Sequence, residues 1–172
     1  VNIANPDAVF SLAGLPVDGV GLARIEFIIS NAIGIHPMAL LFPERIDNAR
    51  VRRQIARRTE GFADGADYFV NRLAEGVGMI AAAFHPRPVI VRTSDFKTNE
   101  YEALLGGRWF EQDEANPMIG FRGASRYGHP AYRPAFDLEC RALRRVRDEM
   151  GFTNVVVMIP FCRRIAEAEA TL

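Results

Sequence analysis

This sequence of 172 residues has little lysine, little cysteine, no net charge and no long apolar run. A formal net charge of zero argues against a chain built mainly to hold nucleic acid or an anionic membrane. No apolar run approaches the roughly 20 residues that span a bilayer, and no secretory signal is visible. The two cysteines, Cys140 and Cys162, lack the spacing of metal ligands and fit a reducing compartment. The sequence therefore predicts a cytoplasmic protein that binds neither membrane nor nucleic acid.

Lysine is so scarce that Lys97 is the only one among 21 basic residues. A genome-wide preference for arginine codons accounts for this bias, so only the positions of the arginines are informative. Residues 43–60 are predicted to form a helix with a dense arginine face. No aromatic residue interleaves these arginines, which favours a solvated helix face over a nucleic-acid surface. The face consists of Arg45, Arg50, Arg52, Arg53, Arg57 and Arg58.

Several chemical motifs are absent. There is no G-x-G-x-x-G fingerprint and no phosphate-binding Walker loop. The three histidines, His36, His85 and His129, each precede a proline and have no metal or triad partner at useful spacing, so they are interpreted as loop-packing residues. No cluster of carboxylates and histidines indicates a zinc or two-metal site. The chain's own residues therefore predict no metal centre.

Strand-like and helix-like segments alternate along the chain. Strands are predicted at residues 1–3, 19–23, 89–91, 118–121 and 155–159. Helices are predicted after Asn5 and over residues 43–60, 64–84 and 134–150, with a loop at 104–117. The buried stripe of the last helix is predicted to be Phe136, Cys140, Leu143, Val146 and Met150.

This alternation, without hairpin signals, predicts an α/β fold with a parallel sheet. A doubly wound sheet is one form of that fold, although the glycines of a dinucleotide site are missing. The other form is a TIM-type (β/α)₈ barrel of about 250 residues, of which this chain would hold the first five β/α units.

Three arginines directly follow predicted strands: Arg24, Arg92 and Arg122. In a β/α barrel the active site lies at the carboxyl ends of the strands, and neighbouring strands are about 5 Å apart. Three guanidinium groups would then surround one pocket, where they can bind carboxylate or phosphate bidentately. The alternative is that these arginines form structural salt bridges with nearby acids, such as Glu26 and Asp95.

Four segments carry a resemblance to a known family: DGVGLARIEFII, RPVIVRTSDFKTNEY, NPMIGFRGASRY and VVVMIPF. In this order they resemble the carboxyl-terminal domain of the phosphoenolpyruvate-utilising enzymes. The shared skeleton is G-x-x-L-x-R-x-E-F, then V-x-x-R-x-x-D, then N-P-x-x-G-x-R. The variable parts, SDFKTNEY and FRGASRY among them, are similar to the phosphoenolpyruvate synthase branch. The alternatives within the family are pyruvate phosphate dikinase and enzyme I of the sugar phosphotransferase system.

The resemblance implies a (β/α)₈ barrel of which residues 1–172 are a part. It implies a full-length enzyme that makes phosphoenolpyruvate, AMP and phosphate from pyruvate, ATP and water. That enzyme would also have an ATP-binding domain and a swivelling domain with a phosphohistidine, and would form a homodimer. The resemblance implies that the barrel binds pyruvate and phosphoenolpyruvate. A non-catalytic anion-binding module derived from such a barrel is the alternative of another class.

The resemblance also implies roles for individual residues. Arg24 and Arg92 match the arginines that bind pyruvate or phosphoenolpyruvate, and Arg122 is expected to be a third anion contact. Asp95 and Glu26 are expected to orient Arg92 and Arg24, respectively.

Other functional groups of the family are expected outside these residues. They are the Mg²⁺ ligands, the proton-donating cysteine and the phosphohistidine. Cys162 matches no catalytic position. This part alone is therefore expected to be inactive, while Lys97 is left as a residue whose role the sequence does not define.

Overall fold

The computed structural model describes residues 1–171, in which four strands form one parallel sheet. The strands are β1 (Asn2–Ile3), β2 (Val20–Arg24), β3 (Val89–Arg92) and β4 (Val155–Met158), and they lie side by side in chain order. The predicted α/β fold with a parallel sheet is confirmed.

The register of β2 and β3 determines where the site lies. Arg24, the last residue of β2, is the direct neighbour of Arg92, the last residue of β3. On the other side, Arg92 is paired with Met158 of β4. Because all the strands run in the same direction, the two arginines leave the sheet at the same edge. Their side chains therefore start from adjacent positions.

Nine α-helices occur within residues 1–171. Two of them each continue into a π-helical segment, α2 into Ile29–Ile33 and α8 into Arg145–Glu149. The helices are α1 (Val9–Ala13), α2 (Ile25–Ile28), α3 (Pro37–Leu41), α4 (Ala49–Arg58), α5 (Gly65–Phe84), α6 (Thr98–Glu102), α7 (Ala124–Tyr127), α8 (Arg133–Arg144) and α9 (Ile165–Thr171).

The two long helices α5 and α8 pack against each other and form much of the core. Helix α5 begins as predicted, because the Asp64 carboxylate accepts a hydrogen bond of 2.7 Å from the Asp67 backbone N–H. In the described part of the chain, no helix combines the length and the apolar character that crossing a membrane requires. The core side chains of α5 include Phe69, Leu73, Val77, Ile80 and Phe84.

Helix α4 is shorter than the predicted 43–60 segment. It begins at Ala49, where the side chain of Asn48 caps the backbone N–H groups of Arg50 and Val51. Ile55 is the only residue of this helix that is buried. The arginines of the predicted face are all exposed, in agreement with the solvated-face interpretation.

The predicted strand at residues 118–121 is wrong, because this segment forms turns. The Asn116 side chain accepts a hydrogen bond from the Met118 backbone, which closes a turn where the strand was expected. Met118 and Ile119 are 54% and 68% exposed, so their apolar side chains do not reach the core. A four-residue apolar run was too short to distinguish a strand from a turn.

The buried stripe predicted for α8 is also partly wrong. Cys140 is exposed and free, and Met150 is 39% exposed. The buried face of α8 lies about one position earlier in the sequence and includes the carboxylate of Glu139, which is 0% exposed. The apolar periodicity alone could not show that this helix buries a charged residue type.

Candidate anion-binding site

A cavity of about 640 Å³ lies where β2 and β3 end. It brings together all five residues that were predicted for the substrate site, and Lys97 as well. We call it the arginine cavity. Its lining consists of Arg24, Glu26, Phe27, Ser30, Arg92, Asp95, Phe96, Lys97, Glu100, Ala103, Leu104 and Arg122.

Asp95 is the central acid of the arginine cavity. Its two carboxylate oxygens accept hydrogen bonds from Nε and Nη2 of Arg122, at 2.7 and 3.1 Å. One of them also lies 3.2 Å from Nη1 of Arg92. Asp95 is only 5% exposed, so these contacts are shielded from water. A single carboxylate therefore fixes two guanidinium groups.

Glu26 contacts Arg92 rather than Arg24, the arginine that it was expected to orient. Its Oε1 accepts a hydrogen bond of 2.5 Å from Nη2 of Arg92 and one of 2.9 Å from the Asp95 backbone. Within residues 1–171, Glu26 Oε2 and Arg92 Nε are buried and have no hydrogen-bond partner. Arg92 is thus held by two acids while one of its donors has no protein acceptor.

Arg24 differs from the other arginines of the cavity. Its side chain is exposed, and among the described residues it makes no ion pair and no side-chain hydrogen bond. It ends β2 beside Arg92 and immediately precedes α2. The arginine cavity therefore contains one guanidinium group that no carboxylate of the described chain neutralises.

Arg122 reaches the cavity from a turn and not from a strand. The backbone N–H of Phe121 donates to the Glu114 carboxylate at 2.7 Å, and its C=O accepts from Nε of Arg126 at 3.1 Å. Gly123 follows with φ of 61°, and a Cβ there would lie 2.5 Å from the Pro160 carbonyl oxygen. Only glycine fits this position without displacement.

The contacts of Arg122 use only some of its N–H groups. Besides Asp95, it donates from Nη1 to the Met118 carbonyl at 3.2 Å. The guanidinium lies 4.5 Å from the centre of the Phe161 ring. The hydrogen bond to Asp95 raises the pKa of the Arg122 guanidinium further above its usual value, so it stays charged. Three of its five N–H groups are occupied, and two are free to contact an anion.

A buried ionic cluster supports the turn that carries Arg122. Arg126, which is 1% exposed, forms a bidentate ion pair with Glu111, and Nε2 of His36 lies 3.0 Å from the same carboxylate. Since Nδ1 of His36 accepts a hydrogen bond from the Met38 backbone, Nε2 must carry the ring proton and donate to Glu111.

The protonation states of this cluster follow from its burial and its contacts. Burial lowers the pKa of His36 despite the nearby carboxylate, so the ring stays neutral. Burial acts to raise the pKa of Glu111, but the hydrogen bonds from Arg126 and His36 outweigh it and hold the pKa below its usual value. Among the three histidines, His36 thus packs in the core as a structural residue, in line with its interpretation as a packing residue.

Lys97 supplies the fourth cation of the arginine cavity. Its Nζ lies 3.3 Å from Oε1 of Glu100, and its backbone N–H donates to the other carboxylate oxygen at 2.8 Å. Lys97 occupies the cap position before α6, where a side-chain acceptor is preferred and a positive charge is disfavoured by the helix dipole. Local helix chemistry therefore does not explain why lysine occupies this position.

A second cavity of about 600 Å³ lies beside α5. Its arginines have protein partners, since Arg72 pairs with Glu75 at 3.0 Å and Arg58 donates to the Gly34 carbonyl. The arginine cavity is the better candidate because it combines four cationic side chains with only three carboxylates. Within residues 1–171, no group of three or more histidine, cysteine or acidic side chains is arranged to hold a metal ion.

Sequence reasoning did not identify the residues that support the cavity from behind. Glu111 and Arg126 contact each other across 15 positions, and Glu139 contacts Ser94 across 45 positions, so sequence spacing did not reveal these contacts. Arg126 lies within the FRGASRY segment that carried the resemblance, but nothing in that motif indicated that it would be buried.

The fold is an α/β domain whose parallel sheet carries an arginine-lined cavity at the ends of its strands. The chain belongs to the family of PEP-utilising enzymes, PEP-binding domain, because the profile of this family matches residues 1–172. The resemblance in the sequence motifs is therefore confirmed.

Several relatives of this chain share the name phosphoenolpyruvate synthase. The chain is 58% identical to that of Deinococcus radiodurans, covering 100% of this chain and 22% of the relative. It is 58% identical to that of Synechocystis sp., covering 95% and 20%, and 50% identical to that of Escherichia coli, covering 100% and 22%. The chain thus spans about a fifth of the length of these curated relatives.

Proposed function

We propose that this chain is part of a phosphoenolpyruvate synthase (pyruvate, water dikinase) and that its arginine cavity binds pyruvate and phosphoenolpyruvate. The reaction would convert pyruvate, ATP and water to phosphoenolpyruvate, AMP and phosphate. The identity of 58% to relatives of that name, over the whole chain, supports this assignment. The activity belongs to the complete enzyme, of which this chain would supply the substrate pocket.

The observation that carries the proposal is the state of Arg24. In the described chain its guanidinium has no acid partner, whereas its neighbour Arg92 is held by Glu26 and Asp95. A free guanidinium beside a fixed one suits a carboxylate ligand, because each fork can donate two parallel hydrogen bonds to the oxygens. Pyruvate and phosphoenolpyruvate both offer a carboxylate, and the second also offers a phosphate.

The cations would also assist the chemical step. The enolate of pyruvate and the phosphoryl group that it receives are both negatively charged, so they repel each other as they approach. Fixed guanidinium groups reduce that repulsion without having to reorganise during the reaction. Arg24 and Arg92 would hold the substrate, and Arg122 would add its two remaining N–H groups.

The residues of the arginine cavity do not fit the Mg²⁺ that the family implies. Asp95 accepts guanidinium hydrogen bonds on both oxygens and Glu26 accepts one on Oε1, so within residues 1–171 these two carboxylates keep a single oxygen, Oε2 of Glu26, without a hydrogen bond. A magnesium site needs oxygen ligands that are free to face the ion. We therefore propose that the Mg²⁺ ligands of the complete enzyme lie outside residues 1–172.

The remaining features of the complete enzyme are proposals of the same kind. Parallel strands in chain order are the arrangement of a β/α barrel, so we propose that β1 to β4 form part of a (β/α)₈ barrel. A swivelling phosphohistidine domain would deliver the phosphoryl group from the ATP site. We also propose a homodimer and, from the two free cysteines, a cytoplasmic location.

Two alternative functions make different predictions. A pyruvate phosphate dikinase would require phosphate as a co-substrate and release pyrophosphate, whereas a synthase uses water. A non-catalytic anion-binding module would bind phosphoenolpyruvate but consume no ATP. The shared name of the relatives favours the synthase.

The test is pyruvate-dependent formation of AMP by the full-length polypeptide that contains this chain. We expect AMP and phosphate without added phosphate, and a nearly complete loss of turnover in Arg92→Ala. Arg144→Ala is the matched control, because Arg144 is an exposed arginine outside the cavity. Near-normal turnover in Arg92→Ala would refute the role of Arg92, and a requirement for phosphate would favour the dikinase.

A further inference from the structure

Helix α8 presents a buried carboxylate to the loop that follows β3. Glu139 Oε2 accepts a hydrogen bond of 3.0 Å from the Ser94 backbone N–H, and Oε1 accepts one from the Ser94 hydroxyl. Tyr132 donates to Oε1 at 3.4 Å. Glu139 is 0% exposed and, within residues 1–171, it has no basic side chain in ion-pair contact. The proposed function assigns nothing to this residue.

The contacts of Ser94 make it the fixed point of that loop. Its hydroxyl also lies 2.6 Å from the Tyr101 hydroxyl, and its carbonyl accepts a hydrogen bond of 2.5 Å from Tyr127. The N–H, the C=O and the hydroxyl of Ser94 are therefore all engaged by buried groups. Ser94 stands between Arg92 and Asp95 in the chain, so any shift of Ser94 moves the acid that fixes both Arg92 and Arg122.

We propose that Glu139 is a positioning residue for the arginine cavity: by holding Ser94 from behind, it sets the place of Asp95 and through it the two guanidinium groups. This inference rests on the proposed function, since the cavity must bind a substrate for the positioning to matter. Glu139 itself does not line the cavity. Its effect on a bound anion is therefore transmitted through Ser94 and Asp95.

The ionised form of Glu139 suits this role. A carboxylate can accept hydrogen bonds from the Ser94 N–H, the Ser94 hydroxyl and the Tyr132 hydroxyl at once. In the neutral acid one of the two oxygens carries a proton and acts as a donor instead. The titratable groups that face Glu139 are Glu26 from α2, Tyr101 from α6, Tyr127 from α7 and Tyr132 before α8. Burial raises the pKa of each of these tyrosines well above its usual value, so the phenols stay protonated. Arg126 is the nearby cation, and it lies against the rings of Tyr101 and Tyr132.

The charge state of Glu139 changes near neutral pH. Burial raises the pKa of its carboxyl to about 7, against the lowering effect of the hydrogen bonds from Ser94, while the negative charge of Glu26 raises it further. Below that pH the carboxyl becomes protonated and the hold on Ser94 weakens. Substrate affinity should therefore decline on the acid side of pH 7.

The experiment measures the pH profile of kcat/KM for pyruvate in the full-length polypeptide and in Glu139→Gln. Gln has the size of the acid but no charge, so it cannot accept from every donor. We expect a KM for pyruvate raised roughly tenfold at pH 8, the scale of one lost charge-assisted hydrogen bond, with kcat changed less. We also expect the acid decline near pH 7 to be absent in this variant.

The control is Asp137→Asn, which removes an exposed carboxylate from the same helix. It should keep the KM and the pH profile of the unaltered protein. Glu139→Gln with the unaltered KM and an unaltered acid decline would overturn the positioning role. A KM raised equally at every pH, with the acid decline retained, would also overturn it, because it would indicate a purely structural effect.

A second variant and the activity of the unaltered protein separate a failure of this proposal from a folding defect and from a failure of the proposed function. If Glu139→Gln does not fold, Ser94→Ala tests the same contact from the other side: a raised KM is expected, and an unchanged KM would overturn the proposal. If the unaltered protein forms no AMP from pyruvate and ATP, the proposed function fails. That result differs from an active protein whose variants at Glu139 behave normally.

Discussion

Asp95 and Arg122 form a two-pronged ion pair, with donor–acceptor distances of 2.7 and 3.1 Å, although the two residues are 27 positions apart. The same carboxylate lies 3.2 Å from Arg92. The pair therefore joins the end of β3 to the turn that carries Arg122. Arg24 stands beside this assembly without an acid partner among the described residues. The cavity thus has a rigid, compensated side and a single uncompensated cation.

The first prediction concerns Asp95. Asp95→Asn keeps the shape of the side chain but leaves Arg92 and Arg122 without their shared charge. We expect kcat/KM for pyruvate in the full-length polypeptide to fall roughly tenfold to a hundredfold, because each guanidinium gains freedom at the site. Asp137→Asn serves as the control here too. An unchanged kcat/KM would show that Asp95 does not hold the arginines in their active arrangement.

The second prediction concerns Lys97. Lys97→Arg keeps the positive charge but replaces a compact ammonium with a broad planar group. If the ammonium contacts the bound anion, kcat/KM for pyruvate should fall while the fold is retained, as judged by circular dichroism. Unchanged kinetics in this variant would reject a specific role and leave the single lysine as a product of chance.

The third prediction concerns the buried ion pair behind Arg122. Arg126→Met leaves the buried Glu111 with only the hydrogen bond from His36 and without its cation, and breaking such an ion pair costs about 3–5 kcal/mol. The exposed pair of Arg133 and Asp137 offers a matched comparison, for which Arg133→Met should cost at most about 1 kcal/mol. The melting temperatures of the two variants should therefore differ clearly. Equal melting temperatures would show that the buried cluster does not stabilise this region.

The fourth prediction concerns the pH dependence of stability. Because the pKa of Glu139 is raised from 4.5 to about 7 in the folded state, its protonated form is favoured by folding. That contribution is fully present below pH 4.5 and is lost as the pH rises through 7. The melting temperature of Glu139→Gln, relative to the unaltered protein, should therefore rise between pH 5 and pH 8. A difference that stays constant over this range would contradict the raised pKa.

The sequence predicted the elements whose signals are local. The apolar periodicity of residues 64–84 indicated α5, and the apolar run at residues 89–91 indicated a parallel strand. The site residues at strand ends followed from the same logic, since parallel strands deliver consecutive ends to one edge. The structure brings Arg24, Arg92 and Arg122 to one cavity, while their roles as substrate contacts stay predictions.

The contacts that the sequence did not predict join residues that are far apart in the chain. Glu26 was assigned to Arg24 because it lies two positions away, yet it contacts Arg92, which is 66 positions away. Arg122 was assigned to a strand end, yet it is held by the backbone contacts of Phe121 to Glu114 and Arg126. Partner choice among ion pairs depends on tertiary geometry, which neither apolar periodicity nor sequence spacing records.

The most direct test of the substrate pocket is equilibrium binding of phosphoenolpyruvate to the full-length polypeptide, measured by isothermal titration calorimetry. Arg24→Gln removes the one cation without a protein partner in the described chain, and Arg144→Gln is the surface control. We predict that Arg24→Gln weakens binding by roughly tenfold or more, since a charge-assisted contact is lost, while the control binds as the unaltered protein does. Equal affinity in Arg24→Gln and the unaltered protein would contradict the assignment of this cavity to the substrate.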